Sequence, residues 1–170
     1  SSLCYEFISP EWWIPSKAGL IQSSIAAPNG SVWCDDTTSV SRIFNGNLSY
    51  AKGAKVLHML RFVLGDSMFF KGIRSYIQDV NLEYAFATTA DFKQHMETAS
   101  GRNLSEFFND WIYGKGFPHY GITWAQNFNN HVTLTLEQTP SNPSVPFFDV
   151  PVPVYFKNAF RDTILMLQPT

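Results

Sequence analysis

The sequence predicts an α+β fold: a helical lobe followed by a small antiparallel β segment. Three observations predict it. Apolar residues recur at helical spacing from about residue 49 to 112. The pattern then changes to strict alternation in His131-Val-Thr-Leu-Thr-Leu-Glu137, as in a strand with one buried face. Gly116-Phe-Pro118 stands between the two regimes, where neither continues.

Residues 1–30 carry no clear period. Leu3 to Ile8 fits the end of a helix or a short strand. Pro10 and Pro15 bracket Glu11-Trp-Trp-Ile14 and argue against long regular structure there. Ala18 to Ala27 reads as a short helix or an irregular link, and Pro28-Asn-Gly30 as a turn. Asp35-Asp-Thr-Thr-Ser39 reads as a solvated loop with local side-chain hydrogen bonds. Asn45-Gly46 allows a tight turn.

The first strong helix follows. Ser49 is its expected N-cap, and Val56, Leu57, Met59, Leu60, Val63 and Leu64 form its stripe. Gly53 inside it is unfavourable by about 1 kcal/mol against Ala, which suggests a close approach to the backbone. A second helix is expected from Ser67 to Val80, capped by Asp66, with Phe69, Phe70, Ile73, Tyr76, Ile77 and Val80 on one face. A third runs from about Ala90 to Ser100. Its Thr88-Thr-Ala-Asp91 start resembles a capping box, its stripe is Phe92, Met96 and Ala99, and Gly101 closes it. A fourth runs from about Leu104 to Ile112, with Asn103 and Glu106 at capping-box spacing. Strands are expected from Gly121, over His131–Glu137, over Val150–Phe156 and over Arg161–Gln168, with a turn at Asn127–Asn130. Two prolines confine the third of these to an edge or a bulge.

Hydrophobic residues make up 45% of the 170 and aromatics 16%, enough for a packed core. A net charge of −2 and a charged fraction of 15% leave no basic stripe for phosphates, which argues against a nucleic-acid partner. No apolar run approaches the roughly 20 residues of a membrane helix. The first residues lack the charged and apolar regions of a signal peptide. Two cysteines, Cys4 and Cys34, are open to a disulfide or to two buried thiols. The sequons at Asn29, Asn47 and Asn103, the cysteines and the low lysine content point towards a secreted or periplasmic setting.

Tyr50 stands at the mouth of the first strong helix, where unpaired N–H groups and a partial positive charge gather. A phenol there can donate a hydrogen bond to developing negative charge. The run Tyr50-Ala-Lys-Gly-Ala-Lys-Val-Leu-His-Met-Leu60 resembles the Tyr-x-Lys-Gly-Ala-x-Val-Leu-x-Met-Leu segment of the aminopeptidase N family of zinc metallopeptidases, the gluzincin aminopeptidases. Leu64-Gly-Asp-Ser-Met-Phe-Phe-Lys-Gly-Ile-Arg-Ser-Tyr76, Thr88-Thr-Ala-Asp-Phe92, Ala99-Ser-Gly-Arg-Asn-Leu-Ser-Glu-Phe-Phe-Asn-Asp-Trp111 and Gly116-Phe-Pro118 continue the resemblance in order. Each run is generic alone; together they are specific.

The resemblance implies the helical lobe of a thermolysin-like catalytic domain over residues 1–118. A small β-sandwich-like domain, possibly truncated, is implied over 119–170. It implies a peptide substrate cleaved at its N-terminal bond, with Tyr50 stabilising the tetrahedral intermediate. Phe44 and Asn45, in the loop before Tyr50, are implied to border the pocket for the substrate's N-terminal side chain. Zinc is the implied cofactor of the full-length protein, yet its His-Glu-x-x-His motif is absent. His58, His95, His119 and His131 are not at ligand spacing; His58 reads as a core-edge residue and His95 as lacking a partner on its helix. The family's motif for the substrate amine is absent too. The chain therefore reads as a C-terminal piece of the catalytic domain with the start of the next, inactive and metal-free by itself. Two other readings stand beside this one. One is a non-catalytic scaffold of the same architecture. The other is a carbohydrate-binding module built on Trp12, Trp13, Trp33 and Trp124.

Overall fold

The computed structural model describes residues 6–7, 10–129 and 131–168. Cys4 lies outside them, so its pairing with Cys34 does too, as do Asn130 and most of Leu3–Ile8. A 3₁₀ turn at Pro10–Trp12 leads into helix α1, Trp13–Ile25. Pro15 does not prevent this 13-residue helix, contrary to expectation, because it falls in the first turn. There the missing N–H would have had no intrahelical partner. Helix α2 is the short Val40–Ile43. A π-helical stretch, Gly46–Lys52, then runs directly into α3, Gly53–Leu64.

Helix α4, Asp66–Ile77, follows after Gly65 alone, whose φ of 75° suits glycine. Asp66 does not cap it as expected. Its two carboxylate oxygens instead accept from Arg61 Nε and NH2, each at 2.8 Å. The helix stops short of Val80 because Asp79 Oδ1 accepts from the amide and side chain of Asn81, folding the chain into a local turn. Val80, placed on the apolar face from sequence, lies beyond the helix and is exposed; Ile77, the last helical residue, is also exposed. Leu57 of the α3 stripe is exposed as well.

Helix α5, Thr89–Ser100, has the expected capping box between Thr88 and Asp91 and ends on Gly101 in the left-handed region. Helix α6, Ser105–Phe108, continues as a π turn over Asn109–Tyr113. The capping box expected of Asn103 and Glu106 does not form: Leu104 is the N-cap and no side chain caps it. Asn103 Oδ1 accepts from the Ser105 amide, and the Leu104 amide is taken by Glu97.

The core sits where α3, α4, α5 and α6 meet, around Val56, Leu60, Phe69, Met96, Phe107 and Trp111. Glycine at position 72 brings α4 close to α5, since a Cβ there would lie 2.4 Å from the sulfur of Met96. Among the described residues, two antiparallel hairpins follow: β1 Pro118–Gln126 with β2 Val132–Pro140, and β3 Val152–Lys157 with β4 Asp162–Leu167. They are separate two-stranded sheets, so Pro153 does sit on an edge strand. Between them lies an open cleft of about 710 Å³ lined by Tyr120, Leu136, Gln138, Phe147 and Met166. The connection from β2 to β3 drops Val145 and Phe148 into the helical core. The side chain of Gln138 holds the backbone of Phe148 on both sides: Oε1 accepts from its amide at 2.7 Å, and Nε2 donates to its carbonyl at 3.0 Å.

Candidate active site

The turn carrying Tyr50 is built by its flanks. Ser49 is not the N-cap; Asn45 is. Its Oδ1 accepts from the amides of Asn47 at 3.0 Å and Leu48 at 2.9 Å. The sequence missed this because Gly46–Lys52 is wound one residue per turn wider than an α-helix, which moves the helix start upstream. Single π turns of this kind recur at functional sites. Within the turn Leu48, Ala51 and Lys52 are buried, whereas Tyr50 is 58% exposed. Its hydroxyl takes no hydrogen-bond partner among the described residues. Phe44, which ends α2, is 63% exposed on the same stretch, and Asn45 is half-buried with its side-chain oxygen committed to capping. The three site residues expected from sequence thus share one surface turn. The walls of the cleft between the hairpins do not include them, nor do those of a cavity between α1 and α3.

Behind the turn, Arg42 fixes the approach loop. Its Nε donates to Asp35 at 2.7 Å, and its NH2 donates to the carbonyls of Ser31, at 3.0 Å, and Trp33. The Arg42 bond holds the Asp35 carboxyl below the usual carboxylate range. Asp36 turns inward on Thr38, accepting from its amide and hydroxyl, as expected of a local loop motif. Trp33 donates its amide to Ile112 and packs its ring on Tyr113, joining this loop to the end of the last helix.

Lys52 was not singled out from sequence. It is only 5% exposed, and its Nζ donates to the carbonyls of Gly30 and Gly114. Burial pushes its pKa down to about 8. With Lys55 it borders a largely apolar cavity of about 220 Å³ between α1 and α3, closed by Ile21, Ile25, Met59 and Phe117. The signal available was a lysine set between two small residues, Ala51 and Gly53. Gly53 itself is not a point of close approach, since a Cβ there would find its nearest neighbour at 3.8 Å.

His58 stacks on Trp13 with ring centroids 5.4 Å apart, at the edge of the core. His95 finds its partners on another element: Nδ1 meets Ser75 Oγ at 2.8 Å, and Nε2 meets Asp79 Oδ2 at 3.0 Å. It joins α5 to the end of α4. Among the described residues no group of three His, Cys, Asp or Glu side chains could hold a metal, so the residues present do not fit a zinc site. Among them, too, no helix is long and apolar enough to cross a membrane. Of the tryptophans named for a carbohydrate platform, Trp12, Trp33 and Trp124 are exposed. Trp13 stacks on His58 with Lys17 over its ring, and Trp33 leans on Tyr113.

Comparison with known proteins bears on this arrangement. The solved structure of Legionella pneumophila aminopeptidase A in complex with aspartic acid superposes with a TM-score of 0.66 over 88% of this chain and 17% of that one. Its 16% identity makes this a likeness of fold. A probable aminopeptidase 2 of Sulfurisphaera tokodaii is 39% identical over 79 residues, 46% of this chain and 10% of the relative. A puromycin-sensitive aminopeptidase of Caenorhabditis elegans is 33% identical over 104 residues, 61% of this chain and 10% of the relative. The chain therefore spans about a tenth of the length of these curated relatives. The peptidase family M1 domain matches residues 22–111, from the second half of α1 through the Tyr50 turn to the Trp111 that closes the helical core, and the chain belongs to that family.

Proposed function

We propose that this chain is part of a zinc-dependent aminopeptidase that hydrolyses N-terminal peptide bonds, and that it supplies Tyr50 as a donor to the oxyanion of the tetrahedral intermediate. The observation that carries the reading is the contrast within one turn: residues on both sides of Tyr50 are buried, while its phenol points outward with an uncommitted hydroxyl. A neutral phenol can donate to a carbonyl oxygen as it gains charge, and such a bond strengthens towards the transition state. Phe44, beside it, offers an apolar surface for the side chain of the substrate's first residue. In this reading the metal is held by residues outside this chain; among the described residues no group forms a site.

Steady-state kinetics of the full-length enzyme on an aminoacyl chromogenic substrate test the reading. Tyr50→Phe is expected to lower kcat by about 10²–10³-fold, or ~3–4 kcal/mol, with KM little changed. A variant with unaltered kcat removes Tyr50 from the chemistry. Calorimetry of the 170-residue chain is expected to find no stoichiometric zinc, and tight binding would contradict the placement of the ligands elsewhere.

A further inference from the structure

Lys52 is buried, and among the described residues it forms no ion pair: the ion pairs engage Asp35, Glu6, Asp66, Glu97 and Asp79, none of them with Lys52. An aliphatic side chain could fill the same volume without the desolvation penalty of an ammonium group. What the lysine adds is its two bonds to main-chain carbonyls, 3.0 Å to Gly30 and 3.5 Å to Gly114. These acceptors lie 22 and 62 residues away along the chain, one in the link after α1 and the other at the end of the last helical turn.

Both acceptors belong to backbone that is itself hydrogen-bonded: the Gly30 amide donates to the Ala27 carbonyl at 3.3 Å and the Gly114 amide to the Asn109 carbonyl at 2.7 Å. A Cβ on Gly114 would lie 2.4 Å from the main-chain oxygen of Asp110, so only glycine fits there. The stretch Gly46–Lys52 is therefore pinned at both ends, by the Asn45 cap before it and by Lys52 on two anchored carbonyls at its close. Tyr50 sits between the two pins.

We infer that Lys52 is a positioning residue for Tyr50: its hydrogen bonds to the Gly30 and Gly114 carbonyls fix the end of the π turn, and with it the direction of the phenol. The inference rests on the reading of Tyr50 as the oxyanion donor. A misplacement of about 1 Å at such a donor is enough to lower turnover by 10²-fold.

A double-mutant cycle in the full-length enzyme tests it. Lys52→Met keeps the length of the side chain and removes its donors. The expected result is a 10–100-fold loss of kcat with KM held within about twofold, and no further loss when Lys52→Met is added to Tyr50→Phe. Wild-type turnover in Lys52→Met, or a loss that multiplies with that of Tyr50→Phe, overturns the inference and leaves the role of Tyr50 standing. Wild-type turnover in Tyr50→Phe removes both readings together. Lys52→Gln, which keeps an amide donor on a shorter arm, is expected to lie between the wild type and Lys52→Met. The same cycle run with Lys52→Gln decides the matter if Lys52→Met yields no folded protein.

Discussion

The ring of Phe148 lies against that of Trp111 with centroids 4.6 Å apart and planes inclined by 48°. Phe148 is fully buried, and it reaches the helical core from the connection between two β hairpins. Its backbone is held by Gln138 of β2, so one residue joins the strands to the helices by both its side chain and its main chain. Phe148→Ala is expected to destabilise the chain by about 3–5 kcal/mol, the range for removing a buried aromatic ring. Urea unfolding followed by tryptophan fluorescence measures this directly; a loss under 1 kcal/mol would mean that the ring contributes little to the core.

Gly114 leaves no room for a side chain. A Cβ there would lie 2.3 Å from Val145 and 2.4 Å from the Asp110 main-chain oxygen, and the second contact cannot be relieved by a rotamer change. Gly114→Ala is expected to cost about 1–3 kcal/mol as an overpacking substitution. Gly46→Ala makes a suitable control, because a Cβ there meets nothing within 4 Å. Thermal unfolding of the pair distinguishes crowding from a general intolerance of alanine.

Asp110 carries a pH signature. Its pKa is pushed up to about 6, first by burial and then by the nearby Glu106 and Asp149 carboxylates, against the pull of the Asp149 amide. Its Oδ2 is buried and has no hydrogen-bond partner among the described residues. The folded form therefore holds this proton more tightly than the unfolded form does. The contribution to stability is most favourable below the ordinary carboxylate pKa, declines as pH rises from about 4 to 6, and stays at its lower value above that. Asp110→Asn removes the charge. Discounted for the partial exposure of the group, a gain of about 1 kcal/mol at pH 7 is expected, vanishing below about pH 4. Denaturant titrations of both forms at pH 4 and pH 7 give the comparison, and an equal difference at both values would refute it.

The start of α5 titrates in the opposite sense. Thr88 donates its hydroxyl and its amide to Asp91 Oδ2, and the Asp91 amide donates back to Thr88 Oγ1. These bonds hold the Asp91 carboxyl below its usual range. A lowered carboxylate pKa adds stability above the ordinary value, and that stability is lost as pH falls through the folded value. Thr88→Val is expected to cost about 1 kcal/mol at neutral pH through loss of the cap. The wild-type advantage should narrow on acidification, as thermal melts of the two forms at neutral and acid pH would record.

Local grammar was legible in the sequence wherever local chemistry decided the outcome. The Thr88–Asp91 box, the left-handed Gly101 cap, the inward-turned Asp36 and the alternation of β2 all follow from near neighbours. The expectations that failed were overruled by something further away or by a change of helical geometry. Ser49 lost the cap to Asn45 because the turn is π and not α. Asp66 was drawn from the N-terminus of α4 to Arg61, which also binds Glu6. Val80 fell outside the core because the Asp79 turn ended the helix early. Phe148 and Lys52 are set by contacts spanning tens of residues, which no periodicity reports. Tyr50 was found through the resemblance of the run around it; the lysine two residues on was part of the same run and passed unremarked.

The wide winding of Gly46–Lys52 inserts one surplus residue ahead of a helix whose own orientation is locked by Val56, Leu60 and Leu64. Excising a single residue from that stretch would let the remaining six wind as an ordinary α-helix, at about 100° per residue instead of the smaller step of the wider turn. With α3 undisturbed, the phenol would then leave the helix axis in a different direction. Aim at this spot is thus set by a count of residues as well as by their kind.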